Sequence, residues 1–193
     1  MMKLLSPKSL INIFEYEKVR DDFRKEIILY KKSRRLSLGP NITVTFENER
    51  TLLFQIQEIM RAERIVKDEK IKEEIEIYNG LMPPKNGVSA TLFIEITDEK
   101  RIKTVLNQFI GLTDNKTIFF DINGKKTYAK FEEGREEEDK ISSVHYLRFL
   151  FSDDDKKSFN ENGKIKLGIS YKDYKYTEML SDEMLTSLIE DIN

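Results

Sequence analysis

The sequence predicts an α+β protein: helices packed on a mainly antiparallel sheet, with a helix-rich first half and a β-rich second half. Three observations predict it. Before residue 112, apolar residues recur at intervals of three and four in several stretches, the period of one helix face. After it, alternating and β-branched runs dominate. Within those runs, Asn123-Gly124 stands between two apolar segments, a strong short-range hairpin signal. The 193 residues are read as a single domain over 1–193, with a soft division near 112 into a helix-rich part (1–112) and a β-rich part (113–193). No internal repeat or low-complexity linker marks a sharper boundary.

Taken in order, Ser9 to Arg35 reads as a helix, with Val19, Phe23, Ile27 and Tyr30 on one face and a basic end, Lys31-Lys32-Ser33-Arg34-Arg35, that suits a helix C-terminus. Leu38-Gly39-Pro40 breaks the pattern, and Ile42 to Phe46 alternates as a strand. Asn48 is the expected N-cap of a helix from about Arg50 to Ile65, and a second amphipathic helix runs from about Glu69 to Tyr78 before Gly80 and Pro83-Pro84. Val88 to Thr97 reads as a strand, and Asp98 caps a helix to about Phe109. Thr117 to Ile122 and Lys126 to Phe131 flank the Asn-Gly turn. Glu132 to Asp139 carries six acids and one Arg and reads as a solvated loop, with ion binding a weaker reading because the spacing is not that of an EF-hand. Ser142 to Phe151 and Lys164 to Tyr171 are strands separated by an Asp-rich helix start at Ser152, and Ser181-Asp182-Glu183 opens a final helix.

Composition closes several function classes. The chain has no Cys, one His, 33 Lys+Arg and 35 Asp+Glu, a formal net charge of −2. Without a thiol there is no disulfide, cysteine nucleophile or Cys-ligated metal. The near-neutral balance argues against nucleic acid as a partner, because a phosphate-binding protein usually shows a net basic footprint. No stretch has the length of a signal peptide core or a membrane span, so a cytoplasmic protein with no membrane partner is expected. The glycines form no Gly-x-Gly-x-x-Gly; Ile169 stands where a phosphate loop starting at Gly163 would need Lys; and no Gly-x-Ser-x-Gly occurs. No cofactor is predicted.

Two residues stand out. On the helix from Arg50, the residues Leu52, Leu53, Ile56, Ile59 and Met60 form an apolar stripe, and Glu63 projects into its middle. A carboxylate there is expected to be buried with a partner, most simply an arginine, because an isolated buried charge costs several kcal/mol. It either anchors the helix through an ion pair or serves as a carboxylate of raised pKa or a metal ligand. His145 shares a strand face with Leu147, Phe149 and Phe151 and is read as a core residue, with acid, base or metal ligand as the functional alternative.

The runs Leu38-Gly39-Pro40-Asn41-Ile42-Thr43, Phe46-Glu47-Asn48, Gln55-Ile56-Gln57-Glu58 and Arg61-Ala62-Glu63-Arg64-Ile65 resemble the signature of the bacterial and archaeal family called domain of unknown function 3501. Tyr78-Asn79, Ala90-Thr91-Leu92-Phe93-Ile94-Glu95 and Val144-His145-Tyr146-Leu147-Arg148-Phe149 continue it in the same order. Tyr171 to Tyr176 departs from the Asp-His-Pro-like segment associated with that family. The resemblance implies no established activity and no transferable catalytic residue. It does imply an association with rubrerythrin-like iron proteins or cysteine-rich iron–sulfur oxidoreductases, in oxidative-stress defence or electron transfer. The leading expectation is therefore a non-catalytic accessory or binding subunit for such a partner, with a homodimer also compatible. The alternative is a small-molecule or metal-dependent enzyme, which requires Glu63, Arg61 or Arg64, and His145 to converge on one pocket.

Overall fold

The computed structural model describes residues 4–114, 116–132, 136–137, 140–161 and 164–192. The first helix, α1 (Ile13–Lys32), starts where the Asn12 side chain accepts from the Phe14 and Glu15 amides. A short strand β1 (Arg35–Leu38) turns into β2 (Ile42–Glu47), and Asn48 then caps α2 (Glu49–Glu63), its side chain accepting from Thr51 N at 3.2 Å while Thr51 Oγ1 accepts from Asn48 N. The helix α3 (Asp68–Asn79) follows and leads to β3 (Gly87–Ile94). Asp98 accepts from Lys100 N at the start of a short 3-10 turn and α4 (Ile102–Gln108).

The β-rich part begins with the hairpin β4 (Ile118–Ile122) and β5 (Lys125–Tyr128). Asn123 and Gly124 have φ of 52° and 91°, the two positive values that a tight Asn-Gly turn demands. The chain continues through β6 (Lys130–Phe131), the small pair β7 (Glu136–Glu137) and β8 (Lys140–Ile141), and β9 (Val144–Leu150). Ser152 caps α5 (Asp153–Asn160), accepting from Asp155 N at 3.2 Å. β10 (Ile165–Tyr171), β11 (Tyr174–Met179) and α6 (Asp182–Ile192) complete the chain.

Two antiparallel sheets result, one in the order β1-β2-β3-β9-β6 and the other β11-β10-β4-β5. Their inner faces share one core, where Phe120 of one sheet lies 4.7 Å from Phe149 and 5.7 Å from Phe46 of the other, ring centre to ring centre. At one side the sheets are joined by a single strand path: Ala129 N still donates to Ile118 O of the four-stranded sheet, while Lys130 and Phe131 already pair with β9. At the other side Tyr174 of β11 reaches β1 and β2. Its hydroxyl donates to Leu38 O at 2.6 Å and accepts from Asn41 N at 3.0 Å and Ile42 N at 3.2 Å. The arrangement is a nearly closed barrel, and α6 contributes Met184, Leu185, Leu188 and Ile192 to the same core.

A second apolar cluster lies outside the five-stranded sheet. Leu52, Ile56 and Met60 of α2 meet Ile75 of α3, Leu81, Met82 and Leu5. The α2–α3 pair therefore covers the outer face of β2 and β3, and all six residues of β2 are buried. This double covering decides where polar side chains become sequestered.

Several expectations change. The expected first helix ends earlier and gives way to β1, and Val19 is exposed, because the buried line of α1 is Tyr16 and Ile27 with Phe23 between. Tyr174–Met179, left unassigned from sequence, is an edge strand. Part of the acidic stretch pairs as β7–β8, and its ion-binding reading falls on Glu133–Arg135 and Glu138–Asp139, outside the described residues. Among the described residues, no helix is long and apolar enough to cross a membrane.

Candidate functional site

Glu63 is not buried. It is the exposed last residue of α2, which ends because Arg64 turns into the left-handed conformation (φ 54°) and Ile65 folds back, its amide donating to Met60 O at 2.9 Å. Ile65, half-buried against the second cluster, takes the place on the apolar stripe that Glu63 was expected to hold. On the neighbouring α3, burial first and then the Glu63 charge push the Glu74 carboxyl up. Arg61 pairs instead with Glu17, its Nη2 donating at 3.0 Å, and Arg64 is exposed. His145 is 1% exposed on the inner face of β9, opposite Leu92 of β3, with Nε2 2.7 Å from Ser142 O. It points into the barrel core, whereas Glu63, Arg61 and Arg64 end a helix on the outside, so these four side chains form no common pocket. Among the described residues no three His, Asp or Glu side chains are gathered as a metal-binding group.

Chemistry gathers on the outer face of the five-stranded sheet. Sheet register aligns Glu47 of β2 with Ser89 of β3, Ser89 with Arg148 of β9, and Arg148 with Lys130 of β6. Directly paired residues share a face, so these four side chains form one row across four strands. Tyr146, two residues from Arg148, lies on the same face. A cleft of about 310 Å³ opens over the row, lined by Glu47, Ser89, Lys130, Glu132, Tyr146 and Arg148 with Leu81 and Phe131.

Glu47 forms the floor and is 2% exposed. Its carboxylate accepts from Thr91 Oγ1 at 2.7 Å and from Gln55 Nε2 at 2.9 Å, both neutral donors. No cationic side chain among the described residues pairs with it; the nearby Arg34 donates to the Glu47 backbone carbonyl instead. Ser89 Oγ donates to Leu81 O at 2.8 Å, and Arg148 donates to Gly80 O, which pins the loop after α3 to the edge of the cleft. Burial pushes the Tyr78 phenol up to about 12, with Tyr146, Glu74, Glu47 and Glu63 adding to the effect, so this phenol keeps its proton in the neutral range. The arrangement supplies a deep anionic acceptor and two cations toward the outer strands.

Residues 4–192 match the family described as protein of unknown function (DUF3501). The chain belongs to this family. Among solved structures, one similar to this chain is described as a novel protein of unknown function from Burkholderia pseudomallei K96243. That structure superposes with a TM-score of 0.92 at 28% identity, covering 99% of this chain and 100% of its own. No curated protein matches the chain.

Against this DUF3501 fold, two other polar networks read as structural ties. Glu58 of α2 takes two bonds of 2.8 Å from Arg20 and one of 2.7 Å from the buried Tyr16 hydroxyl, clamping α1 to α2. The fully buried Arg34 donates to Phe46 O, to Ser187 Oγ at 2.7 Å and to Asp191, tying the end of α1 and β2 to α6. Burial raises the Asp191 carboxyl against the pull of Arg34. Sequence reading missed Glu47 as a site residue, although the alternation Ile42 to Glu47 already sets it on the face opposite Val44 and Phe46. The missing signal was that α2 and α3 would cover that face too.

Proposed function

We propose that this protein is a non-catalytic binding protein and that its binding site is the Glu47 cleft. One observation carries the reading: a buried carboxylate lining a cleft, held only by neutral donors, with Arg148 and Lys130 two and three strands away in the same row. An uncompensated buried charge costs several kcal/mol, a cost that suits a group whose ionic partner arrives with a ligand. The cleft volume is at the lower end of small-molecule sites, roughly 300–1,000 Å³. The single histidine faces the barrel core rather than the cleft, which favours binding over acid–base catalysis.

Nuclear magnetic resonance titration with a mixed library of small polar fragments tests this. The reading expects amide shifts confined to Ser89, Ala90, Leu147, Arg148 and the loop at Leu81. Shifts scattered over the surface, or none, would overturn it. The accessory role beside rubrerythrin-like or iron–sulfur proteins is a further proposal, which the family description itself does not name; a pull-down from the native cells that recovers neither class would dispose of it.

A further inference from the structure

We infer that the cleft takes a small zwitterion, bound with a cationic head on Glu47 and an anionic end toward Arg148 and Lys130; this rests on the binding reading above. The polarity is built into the strand order. Glu47 lies on β2, Arg148 two strands away on β9, and Lys130 one strand further on β6. At about 4.8 Å between neighbouring strands, the backbones carrying the opposite charges stand roughly 10–14 Å apart, and side chains reaching over the cleft shorten that separation.

Depth sorts the charges as well. Glu47 is buried, whereas Arg148 and Lys130 are exposed. Its two neutral donors hold the carboxyl group in place without supplying a counter-charge, so an incoming ammonium or guanidinium group meets an ionically unpaired acceptor in a desolvated setting, where a charge-assisted bond is strongest. Among the described lining residues the exposed end carries the two cations Lys130 and Arg148, beside Glu132. The Lys130 side chain makes no hydrogen bond or ion pair with a described residue and can reach a carboxylate or phosphate. Tyr146 and Leu81 line the cleft beside the row and suit a short methylene chain between the ligand's charges. A simple cation would leave the outer cations unused, and a simple anion would meet Glu47.

Calorimetric titration of the full chain at neutral pH with γ-aminobutanoate, δ-aminopentanoate and ε-aminohexanoate, beside pentylamine and pentanoate, tests the inference. The expected result is that one ω-amino acid binds at least about tenfold more tightly than either single-charge probe. Glu47→Gln should lose at least about tenfold of that affinity, and Lys130→Glu, an exposed change that leaves the floor intact, should weaken it while sparing pentylamine. Equal binding of the zwitterions and a single-charge probe, or unchanged binding to Glu47→Gln, would overturn it. If the fragment titration still moves the cleft amides, only the zwitterion assignment fails; if no probe moves them, the binding reading fails with it.

Discussion

Glu47 separates stability from function within one side chain. Glu47→Gln removes a carboxyl group that lacks a cationic partner and keeps the shape; Thr91 still has a carbonyl to donate to, and the Gln55 amide keeps Thr51 O as an acceptor. We expect this variant to unfold in urea at a midpoint equal to or above the parent's, whereas Glu47→Ala, which takes the acceptor from the buried Thr91 hydroxyl, loses about 1–3 kcal/mol. Glu58 behaves in the opposite sense. The Arg20 guanidinium holds its carboxyl below the ordinary value of 4.5 against burial, with Tyr16 helping. A lowered carboxylate contributes stability that is present above its unfolded pKa and lost as pH falls through the folded one. The urea midpoint should therefore drop on acidification below about pH 4.5, and Glu58→Gln should flatten that part of the profile. At this scale the sequence placed His145 correctly among Leu147 and Phe149, because one apolar strand face has one destination. It misplaced Glu63 because helix periodicity does not say where a helix stops, and Arg64 ends this one before its stripe is covered.

Elements succeeded where their signals are local. Asn48, Asp98 and Ser152 cap as their residue types dictate, and Asn123-Gly124 turns as its positive φ values require. Two of the strands that escaped notice lie at sheet edges: the four residues of β1 follow directly on a basic helix end, which masks the alternation of Leu36 and Leu38, and β11 is exposed apart from the half-buried Tyr174, so it carries no buried apolar face. Pairing also creates demands that no local pattern announces. Gly87 faces Leu150 at the start of β3, and a Cβ added there would stand 1.8 Å from the Phe149 carbonyl oxygen, a backbone atom. Gly87→Ala should therefore cost more than about 2 kcal/mol, read as a fall in the thermal unfolding midpoint or as failure to accumulate folded protein. A midpoint unchanged from the parent would mean that β3 and β9 do not approach as described.

For the molecule as a whole, fold class followed from periodicity, but strand order did not, because β9 inserts beside β3 across a separation of more than fifty residues and β5 to β6 passes from one sheet to the other. Sheet closure rests on a contact equally remote in sequence. Tyr174→Phe removes the hydroxyl that serves Leu38 O and the amides of Asn41 and Ile42; an expected loss of about 1–3 kcal/mol should appear with faster amide exchange at Asn41 and Ile42 and little change at the α1–α2 interface. The same covering of one sheet face by α2 and α3 that seals β2 is what leaves a carboxylate unneutralised above Thr91 and beside Gln55. The most direct measurement is a crystal structure of the chain grown with δ-aminopentanoate: the account predicts the ammonium in salt-bridge contact with the Glu47 carboxylate and the carboxylate turned toward Lys130 and Arg148. The ligand seated elsewhere, or reversed in the cleft, would contradict it.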